Sequence, residues 1–141
     1  MAGINGKKVL VASAASGVAM VVVDMLTNGL LLSSYWDAAM TRLNLPPFSE
    51  GGFGGLAALL LTDIVYGILV AFLYAAIRPR FGPGVRTALI AGVLVWLPGL
   101  PLSIGLAGLG VFGWSFVAMA GVASLVIALV GGYIAGRLYT E

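Results

Sequence analysis

Two carboxylates interrupt runs that are otherwise almost wholly apolar. Asp24 stands in MVVVDMLTNGLLL (residues 20–32) and Asp63 in LLLTDIVYG (residues 59–67), and together they are two of the five acidic residues in the 141-residue chain. A carboxylate withdrawn from water resists ionisation, and two that approach each other resist double ionisation, so at least one of the pair is expected to carry a proton at neutral pH. A protonated carboxyl donates a hydrogen bond. Asn28, one turn after Asp24, and Thr62 and Tyr66, which flank Asp63, are the side chains expected to complete a closed polar network. Two chemistries suit such a cluster: a proton or cation relay, in which an acid changes its protonation, or plain interhelical adhesion, worth about 0.6–2 kcal/mol per hydrogen bond in lipid.

The surroundings of these acids define the class of protein. Of all residues 61% are hydrophobic and 9% charged, with a mean hydropathy of +1.12, against roughly 25% charged in soluble domains. The composition is that of an all-α integral membrane protein. Residues 1–141 form one membrane domain, with room for four spans of about 20 residues each. These are placed near 9–32, 56–77, 88–109 and 116–138, each a helix because an isolated segment in lipid must satisfy its own backbone hydrogen bonds. An Ala12-Ser13-Ala14 sequence resembles a signal-peptidase site, but the apolar run continues past it, and the segment is read as a retained first span.

Six basic residues (Lys7, Lys8, Arg78, Arg80, Arg86 and Arg137) fall on one side of this layout, and Arg42 alone falls on the other. The positive-inside rule then places both termini in the cytoplasm. The basic loop RPRFGPGVR is assigned to this topological role rather than to nucleic-acid binding. In the long outer loop, Trp36, Met40 and Leu43 recur at helical spacing, and Ser33 or Ser34 is available as an N-cap. A short interfacial helix is expected there, ending at Pro46-Pro47. Its simplest role is an anchor; its sharper one is a lid over an outward-opening cavity.

Counting along the spans places Asp24 and Asp63 each three to four residues, about 5 Å, to the outer side of its span's midpoint. The two acids are therefore expected to be level. Ser13, Gly17, Met20, Asp24 and Asn28 share one stripe of the first span, and Asp63, Tyr66, Gly67, Val70 and Tyr74 share one stripe of the second. Both stripes are expected to face the bundle interior, because an aspartate facing lipid costs about 2.5–3.5 kcal/mol on insertion scales. In the third span Pro98, Gly99 and Pro101 predict a kink or break, since the prolines release the carbonyls of Leu94 and Leu97. In the fourth, Ala128, Gly132 and Gly136 repeat every four residues and offer a close-packing face, for another span or another protein.

The chain contains neither histidine nor cysteine, which removes the usual ligands of metals and haem; no cofactor and no metal are expected. Intramembrane aspartyl proteases also pair two acids, but their Gly-x-Gly-Asp signature is missing around Asp63. No catalytic residue is assigned, and the chain is not expected to be an enzyme.

The stretch LYAAIRPRFGPGVRTALIAGVLVW (residues 73–96), with the earlier NGLLL, resembles a set of small bacterial four-span membrane proteins. The resemblance implies a multi-pass protein of the bacterial inner membrane; it carries no activity and gives no residue a role. Two functions follow from the residues. The leading expectation is an accessory or structural subunit of a larger membrane complex, or a self-associating one, held by small-residue faces. The alternative is a small proton- or cation-coupled transporter using Asp24 and Asp63.

Overall fold

The computed structural model describes residues 4–139. Helix α1 (Gly6–Leu26) runs into a π-helical turn (Thr27–Leu31) and then α2 (Ser33–Arg42); a short 3-10 turn (Phe48–Glu50) leads to α3 (Gly52–Phe81). Helices α4 (Val85–Trp96), α5 (Gly99–Gly108) and α6 (Trp114–Leu138) complete the chain. Four stretches are long and apolar enough to cross a membrane: Gly6–Leu31, Gly52–Phe81, Val85–Gly108 and Trp114–Leu138. They begin two to four residues before the expected starts because the helices extend beyond their most apolar portions. Side chains such as Leu10, Leu30, Phe53 and Val122 face outward, as a surface solvated by hydrocarbon requires. The protein is an all-α, multi-pass four-helix bundle.

Around the bundle the order is α1, α3, α4, α6. Helix α1 packs chiefly on α3 and α6, and α4 on α6, while α3 and α6 also touch across the middle. Glycines set these approaches. A Cβ at Gly67 would collide with the backbone of Gly17, and one at Gly132 with the carbonyl of Ala88; one at Gly92 would lie 2.6 Å from the carbonyl of Ala128. The Ala128, Gly132 and Gly136 face is thus occupied by α4 of the same chain. Ser16 strengthens the α1–α6 contact by donating to the Gly131 carbonyl at 3.0 Å.

One end of the bundle is closed by aromatic and basic side chains. The Asn5 N–H donates to the Tyr139 hydroxyl at 3.1 Å, Tyr74 packs edge-on against Tyr139, and Arg78 lies over the Tyr139 ring. The α3–α4 reversal joins this end, with the Gly84 N–H donating to the Tyr74 hydroxyl at 3.3 Å. Gly82 and Gly84 make the reversal possible with φ of +82° and +123°, values that side-chain-bearing residues avoid. Helix α3 continues through Pro79 to Phe81, so the basic stretch expected as a loop is partly helical. The start of α1, the end of α6 and the α3–α4 turn meet here, which gathers the six basic residues at one end as their sequence positions suggested.

The third span breaks where the prolines predict. Leu97 and Pro98 form a turn between α4 and α5. The Leu97 carbonyl, denied a donor at Pro101, accepts from the Leu100 N–H at 3.2 Å, and Pro101 then sits in the first turn of α5, where a missing N–H costs nothing. Beyond the break α5 leans chiefly on α6 and keeps few contacts with the rest of the bundle. That departure leaves a cavity.

At the other end of α1, the π-helical turn is closed by the Leu32 N–H donating to the Thr27 carbonyl at 2.8 Å. The Thr27 hydroxyl donates back to the Val23 carbonyl at 2.9 Å, the kind of side-chain competition that loosens a helix. The expected interfacial helix exists as α2, but neither Ser33 nor Ser34 caps it. Because the chain arrives already helical, Ser33 lies inside the first turn, and its hydroxyl donates to the Leu30 carbonyl at 3.3 Å instead of accepting from an N–H.

Candidate functional site

The cavity occupies about 340 Å³ between α1, α3, α6 and the α4–α5 break. Asp24, Asn28, Thr62, Asp63 and Tyr66 all line it, together with Gly99 of the break. The facing argument therefore holds: Ser13, Gly17 and Met20 are buried along α1, and Asp63, Gly67, Val70 and Tyr74 along α3, with Tyr66 at the exposed edge. Pro98 and Pro101 shape the break without lining the cavity, and Ala128 contributes to its wall while Gly132 and Gly136 serve the α4 contact.

The two acids are not level. Gly67 abuts Gly17 and the Ser13 carbonyl, and Gly17 abuts Ile64, which puts Asp63 opposite the Gly17–Met20 turn and Asp24 about 7 Å further along α1 at 1.5 Å per residue. The expectation of equal depth erred because it took the apolar midpoints of the two spans as partners, whereas the glycine crossing fixes their register. Side chains on a helix lean toward its N-terminus. On antiparallel α1 and α3 the two carboxylates lean toward one another, so both still reach one cavity.

Their surroundings differ sharply. The Trp36 indole N–H donates to Asn28 Oδ1 at 3.0 Å, and Asn28 Nδ2 donates to Asp24 Oδ1 at 2.7 Å. Indole only donates, so it fixes which way the Asn28 amide faces. Asp24 is thereby held in a chain of hydrogen bonds that begins on α2. Asp63 has no such support. The residue is 8% exposed, and its buried Oδ2 has no hydrogen-bond partner. The closed network expected around both acids does not form: Thr62 donates to the Ala58 carbonyl of its own helix at 2.9 Å.

Apart from Tyr66, whose hydroxyl has no protein acceptor among the described residues, the other polar side chains of the lining have also committed hydrogens. Trp96 Nε1 donates to the Gly121 carbonyl at 3.1 Å and to Ser124 Oγ at the same distance, Ser124 donates to Gly121, and Ser103 donates to the Gly99 carbonyl at 3.0 Å. What the cavity presents is carboxylate, the Tyr66 hydroxyl and aromatic surface from Trp36, Tyr66, Trp96, Phe112 and Phe116. Phe116 meets Trp36 edge-on with centroids 4.8 Å apart, and Phe48 stacks on Trp36 from behind at 5.3 Å.

Trp36, Trp96 and Phe116 were not foreseen as site residues. The signal for Trp36 was its stripe on the interfacial helix, and for Trp96 its position two residues before Pro98. Only the folded chain brings them to the acids.

Fold and site together define a multi-pass helical membrane protein with an acidic, aromatic-walled cavity at the break of its third span. No family model, curated protein or solved structure matches the chain.

Proposed function

We propose that the protein is a small proton-coupled cation carrier in which Asp63, assisted by Asp24, exchanges a proton for a cation inside the cavity. The observation that carries this reading is the buried Asp63 carboxyl, which borders the cavity and whose Oδ2 has no hydrogen-bond partner. A buried charge without a partner is expensive, so this carboxyl must be neutralised by a bound proton or by a bound cation. The two occupants exclude each other, and one proton leaves for each cation that enters. Exclusive occupancy of one acid is the minimum requirement for coupling two fluxes. On the same reading, the basic end lies in the cytoplasm of a bacterium and the chain in its inner membrane.

The alternative, an accessory subunit, drew its support from the small-residue face of α6. Ala128, Gly132 and Gly136 already serve α4, which leaves a partner protein to dock elsewhere on the lipid-facing exterior.

Protein reconstituted in liposomes under an imposed pH gradient tests the carrier reading. Addition of a cation to one side is expected to move protons in the opposite direction, and Asp63→Asn is expected to abolish the movement while leaving the helical content intact. Undiminished coupling in the Asp24→Asn, Asp63→Asn double variant would refute it. Stoichiometric partners recovered by mild solubilisation of native membranes, with no proton movement by the isolated chain, would favour the subunit.

A further inference from the structure

We infer that the cavity's ligand is an organic ammonium ion carrying bulky apolar substituents, held by its N–H on the Asp63 carboxylate and by its substituents on the aromatic wall. This deepens the carrier reading and rests on the same site, but it concerns what binds, whether or not binding drives transport.

Four observations converge on this class. First, the sign: among the described residues the lining contains two carboxylates and no lysine or arginine. Second, the donor census: Thr62, Trp36, Trp96, Ser103 and Ser124 already donate to protein acceptors and Asn28 gives one amide hydrogen to Asp24, which leaves chiefly the Tyr66 hydroxyl for a ligand's acceptors. A ligand rich in acceptors would find few donors to meet it, whereas one bearing N–H finds the Asp63 carboxylate, whose Oδ2 no protein donor reaches. Third, the wall: indole and phenyl faces attract a cation whose charge is spread over alkyl groups and solvate those groups at the same time. Fourth, the volume: about 340 Å³ lies in the range of small-molecule sites and far exceeds what a proton or a bare metal ion occupies. A divalent cation would need about six oxygen ligands, and among the described residues no three Asp, Glu, His or Cys side chains gather.

The three tryptophans make the test direct. Trp36 and Trp96 line the cavity, while Trp114 lies outside it and is exposed. In a Trp114→Phe background, intrinsic tryptophan fluorescence of protein reconstituted in lipid vesicles reports on the two cavity indoles alone. The probe is N,N-dimethylcyclohexylammonium, which is optically silent and carries one N–H; cyclohexanecarboxylate, cyclohexanol and sodium are the controls. The expected result is a saturable emission change with the ammonium ion only, its dissociation constant raised at least ten-fold by Asp63→Asn and several-fold by Trp96→Phe. Should Asp63→Asn not remain monodisperse, Asp24→Asn and Trp36→Phe carry the same comparison.

An unchanged titration in the aspartate variants, or equal binding of the carboxylate or the alcohol, would overturn the inference. A response to sodium but not to the ammonium ion, with proton movement intact in liposomes, would overturn it and leave the carrier reading standing. Ammonium binding without any proton movement would uphold the inference and refute the carrier.

Discussion

Asp63→Leu separates the two roles an intramembrane acid can play, because they predict shifts of opposite sign. In the structure Asp63 is buried, its Oδ2 makes no hydrogen bond, and open volume lies beside it to accept a larger side chain. Removing an unsatisfied buried polar group recovers about 1–3 kcal/mol, and the insertion scales, which favour leucine over aspartate at mid-span, point the same way. For a chain of this length 1 kcal/mol corresponds to about 3 °C in Tm. The variant should therefore melt roughly 3–9 °C higher than the parent in the same detergent, followed by far-UV circular dichroism. Were Asp63 an adhesive between helices, its loss would cost about 0.6–2 kcal/mol and lower Tm instead. Asp24→Leu provides the internal contrast. It strands the Asn28 amide now donating to Asp24, and Tm should fall by about 3 °C, the equivalent of one hydrogen bond. A lower Tm for Asp63→Leu would refute the argument that this acid is retained for chemistry at a cost in stability.

Other outcomes follow from the packing. Gly67→Ala should destabilise by about 1–3 kcal/mol, as overpacking does, and Gly17→Ala by less, since the first meets backbone and the second chiefly the flexible end of Ile64 at 3.0 Å; equal losses of Tm would contradict the crossing described. Restoring both amide donors with Pro98→Ala and Pro101→Ala should join α4 to α5, slow amide hydrogen exchange over residues 97–101 and eliminate cation binding. Trp36→Phe keeps the contacts with Phe48 and Phe116 but loses the hydrogen bond to Asn28; a Tm decrease equivalent to about 1 kcal/mol is expected, and no change would show that α2 does not hold Asp24.

Much of the bundle is legible in the sequence because lipid imposes one rule on every segment. The four spans, the inward stripes carrying Ser13, Gly17, Asp24, Asp63 and Gly67, and the break at Pro98 each follow from a local pattern of apolar, small or imino residues. Register between helices does not. It depends on which glycines meet, and Gly17 has several small residues it could have met before Gly67 is known to be its partner. That single pairing moves Asp63 away from the level of Asp24. The partner of Ala128, Gly132 and Gly136 was equally open, since a small-residue face is complementary to any other. Trp36 was hidden for a different reason: the π-helical turn breaks the helical count between Asn28 and α2, so no period of 3.6 residues connects the indole to the amide it holds.

That turn has a genetic counterpart. A π-helical turn carries one residue more than the α-helical turn it replaces, and one inserted codon within an ordinary helix is enough to make it. Deleting Gly29 would allow α1 to run on as an α-helix, turning everything that follows by about 100° and carrying Trp36 away from Asn28. A chain without the extra residue would keep the same four apolar stretches and both acids, but not the indole beside Asn28. In this protein three nucleotides separate an α1 that runs on past Asp24 from one whose π-helical turn brings Trp36 to Asn28.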